Sequence, residues 1–376
     1  FVTGPALLLL IQGITLLVGL HLVFRARLRP LAAALAASFV FLFPFVAGVT
    51  AVITKDALMA GPLVIAIGLM LGDSRRAHRI ALALLLFASL MRWNALAATF
   101  TPMLFLFRWR PDLRGVRRYA IAIAAWLAVT LLAYAANTAL TSKREYLWYW
   151  SFAYEDISGT LEYMPDVDDA HMNELLAGVP LVYHDRLHER FRAIYSPISH
   201  YHLMRDSTKL FEVASTDLER TAIADAWKRI VLGHPAAYLH YRWDSFRSLI
   251  GLDWGDTFSR VYVWFNVIAD PQAINELHHD ATSSHLQAQL MRASVWFSLT
   301  RLYAAVIYLV LGLLLIPLCR TSLEWSLLLS GLAYEAQWFF LAATPDARYS
   351  QWLVICTLVT AILVGARLAR SRAPAS

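Results

Sequence analysis

The sequence predicts an all-α polytopic membrane protein: a helical bundle of about nine membrane segments carrying a mostly helical soluble insert. Three observations carry this reading. Hydrophobic residues make up 59% of the 376-residue chain and charged residues only 16%, with a mean hydropathy of +0.51, too apolar for an ordinary soluble domain. The apolar residues gather into runs, several of them near the ~20 residues that one helical crossing needs. The 13 Trp and 16 Tyr suit aromatic belts at two membrane interfaces.

The runs follow in order. Gly4 to Phe24 forms the first span and ends in Arg25, Arg27 and Arg29. It starts without an initiator Met or a signal-peptide pattern, so it is expected to be an internal span of a longer protein. Leu31 to Val52 is a second run, broken at Phe43-Pro44, and Ala57 to Leu71 a third, leading into Arg75, Arg76 and Arg79. Two short halves, Ile80 to Met91 and Ala95 to Phe107, hinge on Arg92-Trp93-Asn94. They run into Arg108, Arg110, Arg114, Arg117 and Arg118, and Tyr119 to Leu140 follows. Val295 to Leu318, Leu323 to Ala343 and Tyr349 to Ala366 complete the set.

Residues 141–290 have a different composition, holding 21 of the chain's 27 acidic residues. Leu218 to Leu232 and Ala236 to Leu249 show apolar residues at helical spacing, and Pro235 is suited to the first position of the second helix. The expected division is therefore a membrane domain's first part at 1–140, a soluble insert at 141–290, and three last spans with a short tail at 291–376. If every Arg-rich connection is cytoplasmic, the alternation closes and the insert is extracytoplasmic. Cys319 and Cys356 lie in or beside apolar runs, which predicts small buried hydrophobes and no disulfide framework. The net charge of +6 sits beside the spans rather than on one soluble face, so no nucleic-acid partner is expected.

Three polar stretches stand where charge is costly: Thr54-Lys55-Asp56, Arg92-Trp93-Asn94 and Asp346-Ala347-Arg348-Tyr349. Charged groups near hydrocarbon persist where they line a cavity, pair, or meet a ligand. The topology places all three at one membrane face. Asp56 and Asp346 are the candidate catalytic carboxylates, able to accept a proton from a hydroxyl nucleophile. Arg348 and Arg92 suit bidentate phosphate binding, with Lys55 a point charge. Asn94 and Tyr349 complete the candidate substrate contacts, with Glu335, about 11 residues before Asp346 and so ~16 Å deeper along a helix. A divalent cation is a candidate cofactor for a pyrophosphate donor, although no complete ligand set is visible. In the insert, His184 and His188 stand four apart, as if on one helix face, and Asp166, Asp168 and Asp169 alternate like the start of a calcium loop without its glycine and distal glutamate. A solvated face and an acidic turn are the expected readings of these two. His200-Tyr201-His202 has no better claim.

Taken together, Thr54-Lys55-Asp56, Leu90-Met91-Arg92-Trp93-Asn94, His234-Pro235-Ala236-Ala237-Tyr238 with Arg242, and Asp346-Ala347-Arg348-Tyr349 resemble the polytopic glycosyltransferases of the GT-C superfamily. That group includes protein O-mannosyltransferases and the aminoarabinose transferases that modify lipid A. The resemblance implies a GT-C-like bundle in a bacterial cytoplasmic (inner) membrane, active on its extracytoplasmic face. It also implies inverting transfer of a sugar from a polyprenyl-phosphate-linked donor to a glycan, lipid or protein acceptor of the cell envelope. In such enzymes a key acid usually lies in the first external loop, upstream of this stretch, and Asp56 matches a second external-loop acid. Trp93 departs from the pattern, since a histidine or other polar residue is common there. The alternative readings are a transporter or flippase, or a ligase or polymerase, of lipid-linked saccharides. The absence of an internal repeat argues against the transporter.

Overall fold

The computed structural model describes residues 4–109, 112–141, 148–165, 167–196, 203, 209–253, 285–342 and 345–372. Asp166 and His200-Tyr201-His202 lie outside the described residues. Among those described, regular structure is helical apart from an isolated antiparallel bridge between Leu181 and Phe211. The chain divides into two compact units. The first comprises Phe1–Thr141, Ser259–Ala336 and Ala347–Ser376, and the second Ser142–Phe258 with Gln337–Asp346; the sequence reading draws a single insert over 141–290.

In the first unit, α1 (Gly4–Arg25) packs along α4 (Lys55–Met70). Small residues set that approach. A Cβ at Gly61 would come 2.4 Å from the Thr15 hydroxyl, and one at Gly68 would come 2.8 Å from Leu22 Cβ, the close backbone contact that glycines permit between apolar helices. Between them lie α2 (Pro30–Leu42) and α3 (Pro44–Thr50), bent by 69° at Phe43. Pro44 causes the bend, because proline cannot donate to the preceding turn. Next come α5 (Arg75–Met91) and α6 (Ala95–Leu106), then α7 (Gly115–Leu140). The first half-helix therefore begins at Arg75 rather than Ile80, with Ser74 accepting from the Ala77 amide as its cap.

The run from Val295 to Leu318 is not one helix. It splits into α13 (His285–Ser298) and α14 (Ala305–Leu315), separated by residues 299–304. Local hydroxyls explain the break: Ser298 donates to the Val295 carbonyl at 2.7 Å and Thr300 to that of Phe297 at 2.6 Å, offering the chain an alternative to continued helix. Then α15 (Ser322–Leu341) and α16 (Gln351–Arg372) complete the series. Among the described residues, three helices are long and apolar enough to cross a membrane, or four if α2 and α3 form one bent span, consistent with a membrane protein.

The second unit is built around α8 (Ala153–Glu162). Tyr154 stacks on Phe211 with ring centroids 4.0 Å apart, and Ile157, Phe191, Ile223 and Ile230 close the core. Around it lie α9 (Asp169–Leu175), α10 (Leu187–Ile194), α11 (Asp217–Trp227) and α12 (Pro235–Leu249). Thr216 and Glu219 form a reciprocal capping box that starts α11, and Pro235 occupies the first turn of α12. The described residues of the insert motifs take local structural positions. His184 precedes α10 instead of sharing its face with His188, because the helix starts only at Leu187, after Arg186 with a left-handed φ of 47°. Asp168 caps α9, accepting from the His171 amide at 2.8 Å, and Asp169 accepts the amides of Arg186 and Leu187. Cys319 and Cys356 are free and buried.

Candidate functional site

The first unit brings four of the predicted residues together. Thr54 is extended and accepts from the Ala57 amide at 3.2 Å, starting α4. Asp56 consequently falls in the first turn, where the helix dipole favours a carboxylate. The preceding corner is fixed by amide side chains. Gln12 donates to the carbonyls of Thr50 and Val52, at 2.7 and 2.9 Å, and Gln351 donates to the Thr50 hydroxyl at 3.0 Å.

α5 ends at Met91, and Arg92 turns into an extended conformation. Its guanidinium donates to Asp56 through Nε at 2.8 Å and through Nη2 to the other carboxylate oxygen, the fork that arginine makes with a carboxylate. Arg348, in the short helical turn Ala347–Ser350, brings Nε to 3.7 Å from the same Asp56 oxygen. The Tyr334 hydroxyl donates to Asp56 Oδ1 at 3.2 Å. Both guanidinium groups also lie over the ring of Tyr349, 5.2 and 5.3 Å from its centroid, within cation–π range.

Exposure separates the members. The Asp56 side chain is 3% exposed, Arg92 16% and Arg348 30%. One buried carboxylate thus faces two cations, the second of them on the more open side. Lys55 is exposed, although its chain neighbour is buried. Asn94 is buried and makes no side-chain cap for α6; both of its amide atoms are without a hydrogen-bond partner. A buried polar group left unpaired costs about 1–3 kcal/mol, a debt that a ligand at this corner can remove.

Glu335 is fully buried, and its Oε1 accepts from the Ser350 hydroxyl at 2.8 Å. Counting along the helix from Asp346 had set it apart; instead the chain returns after α15, so the turn carrying Arg348 reaches it. Asp346 is buried and groups with the second unit. Tyr334 was missed by the sequence reading. Its signal was its place beside Glu335, since a tyrosine hydroxyl inside an apolar helix needs a partner.

The second unit holds a different ion pair. Arg242, within the motif following His234-Pro235, donates to Asp156 and, at 2.9 Å, to the Ala342 carbonyl. It also donates through Nε to the Tyr238 hydroxyl at 3.1 Å. Trp227 donates to the other Asp156 oxygen at 2.8 Å. Burial pushes Asp156 up to about 6, against the opposite pull of Arg242 and Trp227. Its neighbour Glu155 is fully buried with neither carboxylate oxygen hydrogen-bonded, and burial drives its pKa well above the usual range.

Among the described residues no three His, Cys, Asp or Glu side chains gather to hold a metal ion. No protein-family model, curated protein or solved structure matches this chain.

Proposed function

We propose that this chain is a membrane glycosyltransferase of the GT-C kind, moving a sugar from a polyprenyl-phosphate-linked donor to a cell-envelope acceptor. The observation that carries the proposal is the convergence of Arg92 and Arg348 on Asp56 and Tyr349, with the second arginine partly exposed. In this reading the apolar helices form nine membrane segments, the shorter ones as half-spans. The polar corner and the second unit lie on the extracytoplasmic side, opposite the Arg-rich connections.

The reaction needs an acceptor oxygen to bond the anomeric carbon while the bond to the lipid phosphate breaks. The leaving phosphate keeps the electron pair, and the two guanidinium groups supply the matching positive charge. Asp56 holds them in place. A carboxylate has about four lone-pair sites; Arg92 takes two and Tyr334 one, which leaves room to orient an acceptor hydroxyl and receive its proton.

The test uses the purified full chain in lipid nanodiscs with a short-chain polyprenyl-phosphate hexose. Release of polyprenyl phosphate is expected, and Asp56→Asn should lower turnover about 100-fold with an unchanged melting temperature. Wild-type turnover in a folded Asp56→Asn would reduce Asp56 to a helix-end group. Movement of the intact donor across a vesicle, with no cleavage, would overturn the proposal in favour of transport. Labelling of Ala170→Cys from the cytoplasmic side alone would overturn the orientation.

A further inference from the structure

The far end of the same helices carries a second concentration of positive charge, and it surrounds a cavity. A half-open cavity of about 370 Å³ lies between the carboxyl end of α1, the start of α15 and the last turns of α16, with Arg27, Arg367 and Arg370 on its walls. An adjoining hollow of about 200 Å³ shares Arg27 and Leu323 and adds Arg108 and Asp73. The first cavity falls in the ~300–1,000 Å³ range typical of small-molecule sites.

The charges do not cancel locally. Glu324 is the acid of the larger cavity, and it is already engaged. It accepts from the backbone amides of Arg320 at 2.7 Å and Thr321 at 3.1 Å, and from Arg367 Nε at 3.0 Å. Among the described residues, neither Arg27 nor Arg370 pairs with a carboxylate; the Arg370 side chain donates only to the Ala366 carbonyl, at 3.2 Å. Leu323 and Leu363, both buried, supply an apolar floor. Two uncommitted guanidinium groups above an apolar floor, at the ends of helices long enough to cross a membrane, match a group with a phosphate at one end and hydrocarbon at the other.

We infer that this cavity binds the headgroup of an anionic phospholipid from the leaflet at the Arg-rich end of the helices. The inference rests on the helices being membrane spans and not on glycosyl transfer. Basic pockets between transmembrane helices hold such headgroups through the fields that attract basic residues to anionic leaflets. The apolar floor favours a lipid over free phosphate, which has nothing to place on Leu323 or Leu363.

The experiment measures quenching of tryptophan fluorescence in the full chain by brominated phosphatidylglycerol, titrated into phosphatidylcholine nanodiscs, with brominated phosphatidylcholine as reference. Wild type should prefer phosphatidylglycerol. Arg27→Gln with Arg370→Gln should weaken that preference about 25-fold, from about fivefold per arginine. Arg25→Gln with Arg29→Gln, on the same end but outside the cavity, should change it less than twofold. Ser371→Leu adds bulk at the rim without changing charge and should also weaken binding. Equal losses in the two double variants would mean diffuse surface charge and overturn the site. Displacement of the lipid by millimolar inorganic phosphate would assign the cavity to free phosphate and overturn the lipid. An unchanged preference in the cavity variant, with its melting temperature preserved, would also overturn it.

Discussion

Each unit has a nearly inaccessible aspartate that holds arginine, Asp56 in the first and Asp156 in the second, and the two differ in how they are completed. Around Asp156 the account closes: Arg242 meets one carboxylate, a tyrosine hydroxyl and a carbonyl, and Trp227 takes the remaining aspartate oxygen. Both side chains are nearly inaccessible, at 2% and 5%. Around Asp56 the surroundings are more open. Two guanidinium groups face one carboxylate, and the second stands 3.7 Å away and 30% exposed. A neutral, sealed pair is what a fold uses to fix its own packing. A pair with a second cation on an open side is what a ligand can join.

The sharpest way to break this contrast is to remove each aspartate and ask what fails. Asp156→Ala leaves Arg242 buried without its carboxylate, and breaking a buried pair in this way costs about 3–5 kcal/mol. The second unit should lose cooperative unfolding in chemical denaturation and become sensitive to protease. A stable Asp156→Ala protein with full protease resistance would remove the structural half of the comparison.

Arg348 should behave in the opposite way. Arg348→Ala should leave the melting temperature within a degree or two, since its side chain is partly solvated. It should nevertheless weaken use of a lipid-linked sugar by about 2–4 kcal/mol. Arg348→Lys should recover only part of this, because an ammonium does not reproduce the planar fork. Unchanged donor kinetics in Arg348→Ala, at equal protein abundance, would make Arg348 an interfacial anchor.

What could be read in the sequence follows from the range of the interactions. The bend at Phe43-Pro44 and the hinge at Arg92 were legible, because proline geometry and an interrupted apolar run are local signals. The break near Thr300 was not, since it depends on hydroxyls folding back within an otherwise apolar stretch. The convergence of Arg92 and Arg348 on Asp56 was foreseen only as a shared membrane face. The actual partners lie 36 and 292 residues from Asp56 in the chain, and no periodicity encodes such pairings. Arg242 stood in a noted motif, but its partner Asp156 looked like one more acid in an acidic insert. Burial is what distinguishes it, and burial is a tertiary property.

The next prediction concerns a slope with pH rather than a single loss. Glu155 has a folded-state pKa raised by burial, with Asp156 adding to the rise and Arg242 opposing it. Its neutral form is therefore the one the fold favours. That stabilisation is complete below the ordinary glutamate value of 4.5 and is lost as pH rises through the raised folded value. Asp156 adds a slope of the same sign between its ordinary 3.8 and about 6. The melting temperature of the second unit, followed by protease sensitivity, should therefore keep falling well above pH 6, where Asp156 has finished titrating, mainly through Glu155. Glu155→Gln should flatten the decline in that window, while a decline unchanged by the substitution would place its origin elsewhere.

The smallest expected effect concerns Tyr349, and it tests whether the ring or the hydroxyl matters. Both arginines of the open site lie over this ring, much as Arg242 lies near the rings of Tyr238 and Tyr241 in the closed one. A cation held over an aromatic face gains about 0.5–1 kcal/mol where water still reaches it. Tyr349→Leu removes that attraction from two cations at once, so donor use should weaken by about 1–2 kcal/mol. Tyr349→Phe keeps the ring face and should stay near wild type. The Tyr349→Leu effect should appear in the concentration dependence of the donor more than in the maximal rate, because the ring orients the guanidinium groups before chemistry begins. Equal losses in the two variants would assign the role to the hydroxyl. No loss in Tyr349→Leu would mean that Asp56 alone sets the position of both arginines.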